Sequence, residues 1–191
     1  MEIRQIGQQT ILLKGKKEGV VLDPDSQTNL GKINSRIVAF SNSKLDFLGI
    51  DSQRVVLKGP GEYEVGGVEI GGYSAGGKDT VYVFTIDGVT VATVGLLSET
   101  LTDKRRDRIE SVDVLVVKLA DEQKATDKEI LSWVKKWGAN YLVVIDGDQE
   151  KKNLKRFLDS CDVEGQEAVD SLKVDKDELP DGMEVVILKE S

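Results

Sequence analysis

Short apolar runs separated by Gly, Gln and Lys turns mark the first half of the chain as a series of strands. Residues 3–6, 10–13 and 19–22 form the first three, and Asp23-Pro24-Asp25 stops the third. The polar stretch 26–35 reads as a loop. Ile37-Val38-Ala39-Phe40 shows no polar alternation, which predicts a strand buried on both faces. Residues 55–57 follow and end at Gly59-Pro60-Gly61. Gly66-Gly67 separates the runs 62–65 and 68–70, and Asp87-Gly88 separates 81–86 from 89–94. Two-residue turns of this composition between apolar runs predict hairpins. The Gly-rich stretch 71–79 reads as a loop joining the two hairpins.

The second half alternates the two periodicities. Residues 102–110 read as a charged helix and 112–119 as a strongly apolar strand. Thr126-Asp127-Lys128-Glu129 has the form of a capping box. It opens a helix on which Ile130, Val134 and Trp137 share a face, and Gly138 closes it. Residues 141–145 form a strand, 149–160 a helix with Leu154, Phe157 and Leu158 inward, and 184–188 a final strand. Strands first and alternating strands and helices later predict a layered α+β domain with mixed sheets. No linker divides the chain, so residues 1–191 read as one domain.

Composition narrows the chemistry. The net charge of −8 argues against long-range attraction to nucleic acid or to an anionic membrane. The single cysteine, Cys161, excludes an internal disulfide and fits a reducing compartment. With no histidine in the chain to activate it, Cys161 reads as a small, partly buried side chain. Met1-Glu2-Ile3-Arg4-Gln5 lacks the pattern of a signal peptide. No apolar stretch approaches the roughly 18 residues of a membrane span. The expectation is a cytoplasmic protein. Lys104-Arg105-Arg106-Asp107-Arg108 is the only dense basic cluster and reads as a solvated helix face. Trp133 and Trp137, four apart on one helix, read as core or an interface patch.

Several landmarks in order resemble the metallo-β-lactamase superfamily, in particular its short single-domain members. They are Val20-Val21-Leu22-Asp23-Pro24, then Ile37 to Phe40 with Ser41, then Gly59-Pro60-Gly61-Glu62-Tyr63-Glu64-Val65 with Gly67-Val68-Glu69-Ile70. Asp87-Gly88-Val89-Thr90-Val91 with Gly95, and Val112 to Val117, complete the set. The resemblance covers nearly the whole chain and implies an αββα sandwich of two mixed β-sheets flanked by helices. It also implies a dinuclear metal centre built from an H-x-H-x-D-H loop and later histidines.

That centre is where the sequence departs from the family. The loop positions carry Asn42, Lys44, Asp46 and Phe47, so only the carboxylate remains. An ammonium at Lys44 would repel a dication, and a phenyl ring donates nothing to one. The next histidine would fall among residues 73–76. The His-x-Gly-Asp segment reads Thr93-Val94-Gly95-Leu96, and the last histidine falls near Ile145 or Asp146. The resemblance therefore implies remnant positions at Asn42, Lys44, Asp46, Phe47, Thr93, Leu96 and Asp146, with no catalytic, cofactor or metal site.

On this reading Lys44 and Asp46 pair across the loop, or the loop is simply a solvated charged turn. Asp23 caps a strand-to-loop turn, and Glu62 bonds loop amides beside Gly61. The expected function is that of a non-enzymatic binding, regulatory or structural module with a protein partner or a second copy of itself. The alternative is a hydrolase with a different centre around Asp46, Lys44 and Asp146. If the fold is right, residues 42–47 and the turn at Leu96 meet at one end of the sandwich, with Asp146 nearby.

Overall fold

A computed structural model describes residues 1–120, 123–146, 152–163 and 165–190. Sheet 1 is built from β1 (Glu2–Gln5), β2 (Ile11–Lys14), β3 (Gly19–Leu22), β4 (Ile37–Phe40), β5 (Val55–Lys58) and the two-residue β12 (Leu172–Lys173), in the order β12-β1-β2-β3-β4-β5. Sheet 2 holds β6 (Gly61–Val65), β7 (Val68–Gly76), β8 (Asp79–Ile86), β9 (Val89–Val94), β10 (Val114–Leu119), β11 (Tyr141–Asp146) and β13 (Glu184–Ile187), in the order β13-β11-β10-β9-β8-β7-β6. Both sheets are mixed. β3, β4 and β5 run parallel, as do β9, β10, β11 and β13, and the remaining pairs are antiparallel. Helices α1 (Asp103–Arg106), α2 (Asp127–Trp137) and α3 (Lys152–Ser160) lie between the parallel strands of sheet 2, as parallel crossovers require.

Two-residue alternation sorts the strands into layers. Ile11, Leu13, Val20, Leu22, Ile37 and Ala39 of sheet 1 meet Tyr82, Phe84, Val89, Val91, Val114 and Val116 of sheet 2 in the central core. The other face of sheet 2 packs Ala92, Val94, Leu115 and Val117 against Ile130, Trp133, Trp137, Leu154 and Phe157 from the two long helices. Trp133 and Trp137 are 1 % exposed, so both are core residues. The outer face of sheet 1 is different. Leu12, Val21, Val38 and Phe40 are covered by Leu30 of a one-turn 3-10 helix and by Ile33, Phe47 and Ile50 from connecting segments.

The capping box is present in full. Thr126 Oγ1 accepts from the Glu129 N–H at 3.2 Å, and the Glu129 carboxylate accepts from the Thr126 N–H at 2.8 Å. Gly138 adopts a left-handed φ of 67°, which ends α2 as a C-terminal glycine should. Some segments depart from the sequence reading. The stretch 71–79 is strand: β7 runs on through Gly76, with a bulge at Ser74/Gly76, and β8 begins at Asp79. The charged helix at 102–110 contracts to the single turn of α1, which has no buried residue to anchor a longer one. β12 has no counterpart in the sequence reading, being too short to show periodicity. Of the helix expected at 149–160, residues 152–160 are observed and 149–151 lie outside the described residues.

Thr126→Ala removes the cap acceptor and should lower stability by about 1 kcal/mol, measured as a shift in the urea midpoint. Bonds from Thr100, and then from Thr126, hold the Glu129 carboxyl below its ordinary value of 4.5. Its contribution to stability is therefore complete above that value and is lost as pH falls through the lowered folded value. The difference between wild type and Thr126→Ala should shrink in the same acidic window.

Candidate functional site

The C-terminal ends of β3, β4, β9 and β10 converge. Leu22 hands over to Asp23, which has a left-handed φ of 48°, a region a short polar side chain tolerates better than most. This turn carries the Asp23 carboxylate back over the strand ends. Its Oδ1 accepts from the Ser41 N–H and its Oδ2 from the Ser41 hydroxyl, both at 2.6 Å. Lys118 reaches the same Oδ2 at 2.6 Å from the opposite sheet. Lys118 has the parity of Val114 and Val116, which face the central core, so its stem lies between the sheets. Lys118 is 3 % exposed and Asp23 5 %, so this is a buried ion pair and not a surface one. Gly95, just past β9, completes the packing: a Cβ there would come within 2.9 Å of the Ser41 Cβ. Gln123 bridges the last two strand ends, donating to the carbonyls of Gly95 at 3.2 Å and Lys118 at 3.3 Å and accepting from the Leu97 N–H at 2.9 Å.

A second clasp lies beside the first. The buried Asp79 carboxylate accepts from Asn42 Nδ2 at 2.7 Å, from the Ser98 N–H at 2.6 Å and from the Ser98 hydroxyl at 2.5 Å. Backbone bonds reinforce it: the Thr80 N–H donates to the Ser41 carbonyl and the Ser43 N–H to the Lys78 carbonyl. Residues 41–43 of sheet 1 are thus stitched to the start of β8 in sheet 2. The segment beyond β4 does meet the segment beyond β9, through Asp79, which joins Asn42 to Ser98.

The individual positions fare differently. Asn42 faces Asp79 while its Oδ1 accepts from the Lys44 N–H at 2.9 Å, an Asx-type turn. Lys44 does not pair with Asp46. The Asp46 carboxylate takes Lys58 of β5 at 2.9 Å, and Lys44 lies exposed. Lys58, which also sits over the Phe40 ring at 4.8 Å, holds the Asp46 carboxyl below its ordinary range. Phe47 packs on the outer apolar cluster of sheet 1. Thr93 is buried in β9, its hydroxyl donating to the Tyr82 carbonyl at 3.3 Å. Leu96 is half-buried. Asp146 has the parity of Leu142 and Val144, which face the helices, and accepts from the Leu154 N–H of α3 at 3.1 Å. It therefore stands on the opposite face of sheet 2 from Lys118.

Asp23 does more than cap a turn, because it carries half of a buried ion pair. Glu62 is exposed on β6. The basic cluster is engaged within the chain, Arg105 with Glu99, Arg106 with Asp103, and Arg108 over the Tyr73 ring. Cys161 is half-buried, and desolvation pushes its thiol up to about 11. Sequence reasoning missed Lys118, Ser41, Asp79 and Gln123. Only Lys118 left a signal, an ammonium in an otherwise apolar strand.

The donor set does not suit a transition metal. Zinc sites are built from thiolate, imidazole and carboxylate, whereas positions 42, 44, 47, 93 and 96 offer an amide, an ammonium, a phenyl ring, a hydroxyl and an isobutyl group, and the carboxylates of Asp46 and Asp146 are engaged separately by Lys58 and by the start of α3. Among the described residues no three His, Cys, Asp or Glu side chains are grouped so that they could hold an ion.

Two mixed sheets packed face to face, with helices on sheet 2, define the metallo-β-lactamase sandwich. Residues 2–145 match the Beta-lactamase superfamily domain, and the chain belongs to that family. A solved structure from Thermotoga maritima, of a protein assigned to the metallo-β-lactamase superfamily and proposed to be a Zn-dependent hydrolase, is similar over 100 % of this chain and 99 % of its own, with 24 % identity and a TM-score of 0.80. The metallo-β-lactamase fold protein YhfI from Bacillus subtilis aligns over 98 % of this chain and 96 % of its own, with 13 % identity and a TM-score of 0.64. Igni18, a metallo hydrolase from Ignicoccus hospitalis, aligns over 91 % and 99 %, with 12 % identity and a TM-score of 0.61. At these identities the likeness is one of fold. No curated protein matches the chain.

Asp79→Ala should cost at least about 1.5–3 kcal/mol, because Asn42 and Ser98 lose a charged acceptor. Asp46→Ala, at an exposed pair, should leave the midpoint unchanged. Urea unfolding of the two variants beside wild type checks both.

Proposed function

We propose that this is a metallo-β-lactamase-fold protein that works without the family's dinuclear centre, as a binding, regulatory or structural module and not as a hydrolase. The observation that carries the reading is the filling of the strand ends. Where loop 42–47 and the Gly95 turn come together, the space is taken by Asp23, Lys118 and Ser41, with the Asp79 clasp beside them. Of the positions matched to metal ligands only Asp46 and Asp146 carry a group that binds zinc or iron, and the first follows β4 of sheet 1 while the second ends β11 of sheet 2.

The fold likeness to hydrolases supports the alternative, a hydrolase centred on Asp46, Lys44 and Asp146. The contacts favour the first reading, since Asp46 is committed to Lys58 and Asp146 to the start of α3. A binding role is further supported by Leu45, Leu48, Val55 and Val56, exposed at the loop and at β5, which ends sheet 1. A protein partner or a second copy is the proposed ligand. No helix among the described residues is long and apolar enough to cross a membrane. The single cysteine, half-buried and unpaired, fits a cytoplasmic setting.

Metal analysis of the purified protein, paired with phosphodiesterase, thioester and lactam substrates, tests this. The expected result is less than stoichiometric zinc and iron and no turnover above background. Stoichiometric metal together with activity abolished by Asp46→Ala would establish the hydrolase instead.

A further inference from the structure

Among the described residues Lys118 is the one lysine or arginine that is buried as a whole residue, 3 % exposed. β10 presents Val114, Val116 and Lys118 in turn to the space between the sheets, so the ammonium lies where a third apolar side chain would otherwise stand. Burying a charge is unfavourable unless a partner of opposite sign is fixed in place. Here the partner is fixed by the left-handed turn at Asp23 and by two bonds from Ser41. The ammonium belongs to sheet 2 and the carboxylate to sheet 1, so the pair spans the sandwich at the end where the family's ligand loops arrive. A divalent ion bound to the same carboxylate would meet the ammonium within about 5 Å, a like-charge contact in a poorly screened site.

We propose that the Lys118 ammonium is the resident cation of this strand-end site, supplying from a side chain the charge neutralisation and cross-sheet bracing that a bound metal ion would supply. Lys118 is a structural replacement and takes part in no reaction step. The proposal builds on the metal-free reading of the same strand ends and adds a specific occupant. Folding should then be independent of divalent metals and dependent on the match between residues 23 and 118.

A double-mutant cycle by urea unfolding tests the match. Lys118→Met leaves Asp23 buried and unpaired, and should raise the unfolding equilibrium constant a hundredfold or more, on the order expected for breaking a buried pair. Lys118→Met combined with Asp23→Asn should recover at least tenfold of that loss. Losses that simply multiply would overturn the proposal. If Lys118→Met does not fold, the double variant should restore soluble folded protein, and a double variant as unfolded as the single overturns it equally.

Thermal melts of wild type with EDTA, and with added Zn²⁺ or Mn²⁺, supply the second arm. Unchanged midpoints are expected. A metal-dependent rise in wild type that vanishes in Asp23→Asn would place the ion, not Lys118, on the carboxylate. The two readings fail separately. Turnover with metal bound away from Asp23, alongside intact coupling, would overturn the functional proposal and leave Lys118 in its role. Multiplicative losses without metal would do the reverse.

Discussion

The bond between Lys118 and Asp23, 2.6 Å long and shut away from water, is the constraint around which the strand ends of both sheets are arranged. Each partner would be costly alone, because neither can recover its hydration inside the sandwich. The surrounding contacts follow from that requirement. Asp23 adopts an uncommon backbone conformation, Ser41 offers it both a backbone and a side-chain donor, and position 95 carries no side chain. The pair is better understood as a specifier of sheet alignment than as a source of net stability. Sliding one sheet past the other by one residue would strand a charge.

The apolar layers do the larger share of the stabilising but are less particular about register. The central core is dominated by Val, Ile and Leu from both sheets, a composition that tolerates many packings of the right volume. The helical layer is asymmetric, with two long helices on sheet 2 and only loop segments and a 3-10 turn on sheet 1. Directional contacts are therefore concentrated at the strand ends, where the Asp23 and Asp79 carboxylates accept from donors on separate segments and Gln123 donates to the carbonyls of Gly95 and Lys118.

Much of the element order was legible in the chain because the signals were local. Gly66-Gly67, Asp87-Gly88, the Thr126 capping box and Gly138 each specify a backbone geometry within a few residues. The glycines at 71 and 72 misled because they look like turn residues but act as strand residues in a crowded place. A Cβ at Gly72 would lie 3.1 Å from the Gly59 carbonyl, and one at Gly71 would press on the Tyr73 ring at 2.9 Å. The candidate site was legible only as a set of substitutions at ligand positions. What packs the strand ends depends on partners far apart in sequence, Asp23 with Lys118 and Asn42 with Asp79, and no local pattern announces them. The lone lysine in the β10 run was the one visible trace.

The closed packing at Gly95 bears on how this scaffold can be re-engineered. Writing imidazoles into positions 42, 44, 47 and 93 would give the spelling of a metal loop beside strand ends already packed by Asp23, Ser41 and Lys118. The lysine, its carboxylate and the serine that holds that carboxylate would have to be vacated together. The bare Cα at residue 95 leaves almost no slack for Ser41 to move aside. A designer seeking a new centre would do better to begin by emptying the interior and only afterwards add ligands at the rim.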